Sequence, residues 1–546
     1  MVEWIEKITE KIVTVFQDHD QLICNGGLSV SGLQHIGRLR GEITYVNVVV
    51  KKLREKSLNA KHTLVLYTVD AWKGKKTQLQ QFPDPEEARK YIGVPLYLVP
   101  DPYGCHRNWV EHYWEDFGNY LNEFVDNIEI YTTKDLYEKN HRMKEFVLKT
   151  LTEKRLEAIK TINKYRGRNP YPENWIPFHP ICDKCKRIDS TVVTSINIDE
   201  KLVEYYCKNC GHKGVQKLEK GKLSWRLEWV GVWYALQVAF EPYGKDHATP
   251  GGSRDSCNDL ALNVYGFKPP IGMAYEWVGY SKGGRDLGDM GSSDFIGFTP
   301  REWLEVAEPE VLKYLYLISQ PMKRIVVGLD RIPQYVNEYD RAERIFYGQE
   351  KPESLSEKEY KRIKECYKLA QKTIYPYQPF QLPYLHAVAL VQVIPQNAPL
   401  TETAIKKLLK TGILNRELEP WEVKRLEKRL KNAKNWVEKY ASERYKISII
   451  PELTENILKE INPKAIPLIK NLIEKLEKIE EWNETEIKNS MIKIERSKEE
   501  NKIFFEALYL TFFGKKYGPR IAPYLAFLEK DFVIKRLKKL VEIYER

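Results

Sequence analysis

Hydrophobic positions along the chain change period several times, and those changes outline the fold. Near the start, Trp4, Ile5, Ile8 and Ile12 recur at helical spacing among acids and lysines. "QLICNGGLSVSG" is a short apolar run closed by Gly/Ser turn residues. "HIGRLRGEITYVNVVVKKL" again has helical spacing, through Ile36, Leu39, Ile43, Val46 and Val50. "KHTLVLYTVD", ending at Asp70, reads as a second strand. Strand, glycine turn, helix and strand make a βαβ unit, which implies a parallel sheet. Ligands of such sheets bind beyond the C-terminal strand ends, beside helix N-termini. The Gly32–Gly37 segment falls there.

From about residue 138 to 165 the pattern is helical and charged, and the proline-rich "RGRNPYPENWIPFHP" ends it. A cysteine-bearing module follows to about residue 222. From "RLEWVGVWYALQVAFEP" to "MAYEWVGY" the character is aromatic, apolar and β-like. This predicts the second half of the α/β domain, split by the insertion. Beyond residue 301 nearly everything has helical period, as in Leu468, Leu472 and Leu476. The expected domains are 1–137 and 223–300 for the two halves of the α/β domain and 138–222 for the helical and metal-ribbon insertion. Residues 301–350 are expected to form linking helices, and 351–546 a helical domain.

A chain of 546 residues suits roughly three to five domains or sub-domains. The net charge of +11 leans towards an anionic partner. Residues 401–446 concentrate it, with 13 Lys/Arg against 7 acids. The amino terminus lacks the basic start and apolar run of a signal peptide. The most apolar run, "YLHAVALVQVIP", falls short of a membrane span and reads as a core element. These features predict a cytoplasmic protein with no membrane partner.

Two clusters carry metal-type chemistry. Cys182, Cys185, Cys207 and Cys210 form C-x2-C-x21-C-x2-C, in which each pair offers two thiolates to one tetrahedral zinc. His212 is an alternative to Cys210. The strands between the pairs are too few to hold a ribbon without metal. In "DPYGCHRNWVEH", Asp101, Cys105, His106 and His112 are all ligand types, although their spacing alone also suits a polar surface loop.

"SVSGLQHIGRLRGE", "PDPYGCHRNWVEHY", "FEPYGKDH" and "MAYEWVGY", in that order, resemble landmarks of the archaeal-type class I lysyl-tRNA synthetases. "FFEALYLTFFGKKYGPRIAPYLAFL" resembles the end of their helical anticodon-binding cage. The resemblance implies a Rossmann-type catalytic domain with a zinc-binding insertion, followed by that cage. It implies lysine activation by ATP and Mg2+, transfer to tRNA(Lys), and two structural zinc ions, the second on Asp101, Cys105, His106 and His112. His35 and Gly37 match the phosphate-holding motif. Gly27, Ser29, Trp233, His247 and Tyr275 match the lysine pocket, with Asp246 or Glu276 expected to meet the ammonium. Arg38, Lys245, Asp246, Gly252, Ser253, Lys282 and Arg285 are expected near ATP.

"GRDLGDMGSSDFIGFTP" occupies the signature loop of that family. Met290 and Ser293 keep their places, but Asp289 and Asp294 stand where the family has lysines. Carboxylates beside a triphosphate are repulsive. This predicts that lysines at both positions would raise ATP affinity. Val30, Arg38, Val232 and "AWKGKK" after Asp70 also depart from the family pattern. The alternative is a weakened or inactive paralogue that binds tRNA or another RNA without activating lysine.

Overall fold

The computed structural model describes residues 2–167 and 169–546; Met1, and Arg168 in the proline-rich stretch, lie outside the described residues. The chain divides into two compact units. The first comprises residues 1–303, 309–327 and 351–374.

The first unit opens with the helix Glu3–Val15, which buries Ile5, Ile8 and Ile12 as their spacing requires. Strand β1 (Leu22–Leu28) follows, then β2 (Ala60–Leu66) and β3 (Ile128–Thr132). The insertion carries β4 (Phe178–Pro180), β5 (Thr191–Asn197), β6 (Leu202–Cys207), β7 (Lys213–Lys217) and β8 (Gly221–Leu223). After it come β9 (Val238–Gly244) and β10 (Ile271–Tyr275).

The central sheet has the order β10-β9-β1-β2-β3, and every pairing in it is parallel. Counted within the sheet this is 3-2-1-4-5, a Rossmann-type arrangement, and its order reverses between β1 and β9. A crevice at that reversal is where such folds bind ligands. The insertion is an antiparallel three-stranded ribbon, β5-β6-β7, above the short β4–β8 pair. Lys222 at its base reaches Asp70 at 2.6 Å and Glu228 at 2.5 Å, tying the ribbon to the sheet domain.

Two local expectations change. The "NGG" of "QLICNGG" lies inside β1, not in a turn after it. A Cβ on Gly26 would stand 2.5 Å from the Glu42 carbonyl oxygen, so glycine lets the neighbouring helical segment press on the strand. "RLEWVGVWYAL" is a helix, Trp225–Leu236, not β-like chain. It is apolar on nearly every face and buries Leu227, Trp229, Val230, Val232 and Trp233. A helix buried all round shows no polar face and so loses its periodic signature.

The second unit comprises residues 304–308, 328–350 and 375–546. Its helices include Ile332–Phe346, Tyr384–Val393, Leu400–Lys410, Pro420–Lys439, Ile466–Glu477, Lys498–Phe513 and Lys530–Glu545. "YLHAVALVQVIP" supplies a core helix, with Ala387, Val388, Ala389 and Leu390 buried. No helix among the described residues is long and apolar enough to cross a membrane.

Not all of this unit's basic charge faces water. Arg429 is buried and donates to Glu308 at 2.8 Å and to Asp340 at 3.0 and 3.1 Å. Arg425 pairs with Glu343 at 2.9 Å. Lys424, Lys431 and Lys434 lie exposed on the same long helix.

Candidate functional site: a nucleotide crevice, an aromatic pocket and two thiol-bearing clusters

At the end of β1 the chain passes Ser29 and enters a helical run, tight over Ile36–Leu39, wide over Arg40–Tyr45, then regular over Val46–Glu55. Wide turns of this kind cluster at functional positions. His35 precedes the run and is buried. Burial, then the nearby Arg38 guanidinium, holds its imidazole well below the usual histidine pKa, and therefore neutral. Its Nδ1 is buried without a hydrogen-bond partner. A Cβ on Gly37 would stand 2.8 Å from that atom, so only glycine leaves it open.

The signature loop lies directly on this turn. Strands β11 (Val278–Lys282) and β12 (Arg285–Asp289) form a hairpin, with β13 (Ile325–Val327) beside β11. Ile36 N–H donates to the Phe298 carbonyl at 2.9 Å, and Met290 N–H to the Val278 carbonyl at 2.8 Å. A Cβ on Gly32 would meet the Ser292 carbonyl oxygen at 2.4 Å. Thr77 Oγ1 donates to the Ser293 carbonyl at 2.7 Å, and Gln78 Nε2 to the Ser31 carbonyl at 2.8 Å. The His35 turn, the residue 75–78 segment and the loop from Met290 to Phe298 therefore form one body. Lys282 and Arg285 face each other at the exposed hairpin tip, where Gly283 and Gly284 take the positive φ of its turn.

The two unexpected aspartates both have cationic partners. Lys75 Nζ donates to both carboxylate oxygens of Asp294 at 2.9 Å. Arg324 Nε donates to Asp289 at 2.7 Å, and the same guanidinium holds Asp286 at 2.6 and 3.1 Å. Lys245 lies 3.7 Å from Asp289 and 2.6 Å from Glu276. Lys75 belongs to the "AWKGKK" departure, so two departures from the family pattern meet as one ion pair. Arg324 had no motif to mark it.

A second group of residues gathers around a buried carboxylate that lies inside the "FEPYGKDH" landmark but receives no role from the sequence. Glu241, in β9, accepts from Trp229 Nε1 at 3.3 Å, from Asn25 Nδ2 at 3.3 Å and from Trp233 Nε1. Burial raises its carboxyl to about 7, against Arg254, the two indoles and Asn25, which favour the ionised form. Gly27, Trp233 and Tyr67 adjoin it. His247 lies against Trp229, with ring centroids 5.1 Å apart. Tyr275 donates to Glu42 at 2.7 Å and is pressed against Gly41, and Glu42 in turn packs on Gly26 of β1. Of the two carboxylates expected for an ammonium, Glu276 is occupied by Lys245, and Asp246 is 48% exposed. Gly252 and Ser253 open the short helix Ser253–Asp259. The sequence cues for Glu241 are its place in "FEPYGKDH" and an acid inside an apolar strand.

Both metal-type clusters assemble. Cys182 and Cys210 sulfurs are 3.7 Å apart, and Cys185 and Cys207 sulfurs 3.6 Å. Bonds of about 2.3 Å in a tetrahedron require sulfur–sulfur edges of roughly 3.8 Å, so four thiolates here fit a tetrahedral ion. His212 is not among the four gathered ligands. In the second cluster, the Cys105 sulfur lies 3.1 Å from His106 Nδ1 and 3.3 Å from His112 Nδ1. Asp101 completes it, 3.2 Å from His112 and 3.7 Å from His106. Backbone N–H groups of Tyr103 and His106 fix the Asp101 carboxylate. The four ligand-type atoms of "DPYGCHRNWVEH" all lie within 4.8 Å of one another.

Fold and site together define a Rossmann-type nucleotide-binding domain in a chain that also carries a helical unit. The family described as tRNA synthetases class I (K) matches residues 2–372, and an anticodon binding domain matches residues 392–541. The chain belongs to this class I (K) tRNA synthetase family. It is 43% identical to the lysine–tRNA ligase of Aeropyrum pernix, over 99% of this chain and 98% of that one. It is 30% identical to the lysine–tRNA ligases of Methanocaldococcus jannaschii and Pyrococcus horikoshii, in both cases over 98% of this chain and 99% of the relative. Among solved structures, a glutamate tRNA ligase from Elizabethkingia meningosepticum aligns over 95% of this chain and 99% of its own, at 14% identity and a TM-score of 0.38.

Proposed function

We propose that the chain joins lysine to tRNA(Lys) in two steps. In the first, a lysine carboxylate oxygen attacks the α-phosphorus of ATP, supplied as its Mg2+ complex, and pyrophosphate leaves. In the second, a hydroxyl at the tRNA 3′ end attacks the lysyl carbonyl and AMP leaves. Both are displacements at positioned centres, so the protein acts through orientation and charge.

In this reading His35 Nδ1, when it carries the ring proton, donates to a phosphate oxygen, and Gly37 leaves it room. Met290 and Ser293 shape the loop over the phosphates. Arg38, Lys245, Asp246, Gly252, Ser253, Lys282 and Arg285 form the ATP side. Gly27, Ser29, Trp233, His247 and Tyr275 form the lysine side. The four cysteines of the ribbon, and Asp101, Cys105, His106 and His112, hold zinc. Each set supplies four protein ligands and closes the coordination sphere, so both ions are structural. Residues 138–222 act as the inserted zinc module and 351–546 as the tRNA-reading domain. The work takes place in the cytoplasm, where thiolate sets stay reduced.

One observation carries this reading over a binding-only paralogue. The aspartates that stand where the family has lysines are ion-paired, Asp294 with Lys75 and Asp289 with Arg324 and Lys245. The loop therefore presents paired charge, not bare anions, beside the His35 turn. Lysine-dependent ATP–pyrophosphate exchange tests it. Robust exchange with the purified protein is expected. Absence of exchange, with salt-sensitive tRNA binding retained, would establish the binding-only alternative.

A further inference from the structure

Phe295 closes the tight turn of the signature loop in a conformation that aromatic residues rarely take. Gly291 and Ile296 exchange backbone hydrogen bonds at 2.9 and 3.1 Å, so residues 292–295 form a four-residue hairpin turn. Phe295 is its last residue, with a φ of 56°. That is the left-handed region, where glycine sits freely and an L side chain is strained. Among the described residues, the other non-glycine residues with positive φ are Ser57, Asn127, Lys186, Lys201 and Gln237, all of them polar. A bulky ring held at such a φ directs attention to what the ring touches. It packs edge-on against Tyr113, with ring centroids 5.3 Å apart, and against the buried Trp109 at 6.3 Å. A Cβ on Gly32 would stand 3.1 Å from the same ring. Trp109 and Tyr113 belong to the helix Trp109–Gly118, whose first turn includes His112. The His112 ring lies 4.7 Å from that of Tyr113. Asp101, Cys105 and His106 precede the helix, so the four-ligand cluster spans its N-terminus. On its other side the turn meets the nucleotide crevice, where a Cβ on Gly297 would stand 3.0 Å from the His35 Cβ.

We propose that Phe295 is a positioning residue that latches the signature loop to the helix Trp109–Gly118, so that the Asp101, Cys105, His106 and His112 cluster sets how firmly the loop closes over ATP. The cluster anchors the start of the helix, the helix presents an aromatic slot, and the Phe295 ring fills it. Asp294 on one side of the ring is held by Lys75, and Gly297 on the other packs on His35, so releasing the ring loosens the segment between them. The inference rests on the proposed use of this loop in ATP binding and adds what holds the loop in place.

The test measures ATP–pyrophosphate exchange with ATP and lysine varied separately, together with the melting temperature. Phe295→Gly removes the ring and suits the backbone, so the melting temperature should hold or rise while KM for ATP rises about tenfold. KM for lysine should stay within about twofold. Phe295→Tyr keeps the ring and should bring KM for ATP back to within about twofold of the parent. Tyr113→Ala should raise KM for ATP as Phe295→Gly does, and the double variant should add little to either. Cys105→Ala should lose one zinc per chain by elemental analysis and raise KM for ATP, with no further rise when combined with Phe295→Gly. A lower melting temperature with KM for ATP unchanged in Phe295→Gly would make the ring a plain packing group and overturn the inference. Zinc loss in Cys105→Ala with KM for ATP unchanged would overturn it as well, and both results leave the proposed function intact. No exchange by the parent protein overturns the function itself, and this inference with it.

Discussion

Replacing Asp294 by lysine is the sharpest probe of the signature loop. The sequence reading predicts tighter ATP binding when lysines replace Asp289 and Asp294 together, since cations return to positions that hold them in the family. The structure predicts the reverse. Asp294 is bound by both oxygens to Lys75 at 2.9 Å, so a lysine there would face another lysine. In water two unit charges at that distance interact by about 1.4 kcal/mol. The partners are 40% and 47% exposed, which scales the pair down to roughly 0.5–1 kcal/mol. Reversing one charge removes that attraction and adds a similar repulsion, for a total of about 1–2 kcal/mol. Thr77 and Gln78 still hold the loop, so it should loosen without leaving. We expect KM for ATP in lysine-dependent exchange to rise about fivefold to thirtyfold in Asp294→Lys. Lys75→Asp should behave similarly, and the double exchange should return to within about twofold of the parent. The coupling should shrink as salt is raised. Tighter ATP binding by Asp294→Lys alone, or strictly additive single effects, would show that Lys75 does not serve residue 294.

Arg429→Met leaves Glu308 and Asp340 as buried carboxylates without their cation, and should cost about 3–5 kcal/mol in denaturant unfolding of the helical unit. Cys207→Ser should remove one zinc per chain by elemental analysis and lower the melting temperature, whereas His212→Ala should leave the metal content unchanged.

Much of the fold is legible from periodicity, because βαβ patterning and the paired cysteines are local signals. The continuation of β1 through Gly26 and the helix Trp225–Leu236 are not: paired glycines read as a turn, and a helix buried on most of its surface shows no polar face. The site divides the same way. His35, Gly37 and the metal ligands sit in short motifs. Glu241 also lies in a landmark stretch, "FEPYGKDH", but its burial and its donors come from β1 and the Trp225–Leu236 helix. Asp289 and Asp294 teach the converse. Position by position they look like lost cations, yet each is half of a pair whose other half, Arg324 or Lys75, lies far away in sequence. Charge is conserved by partnership in space, which a single position cannot display.

The interrupted sheet also sets the order in which the protein can be built. β1 must pair with β9, which begins more than two hundred residues later, so the crevice cannot exist until most of the first unit has been synthesised. Closing so long a loop is entropically slow. The insertion shortens it, because β4 and β8 pair and bring Phe178 and Leu223 side by side. Once the ribbon has folded around its thiolates, the chain on either side behaves as though those residues were already spliced out. The order of the ribbon between β4 and β8 then bears on how fast the nascent chain completes its sheet, well before any substrate arrives.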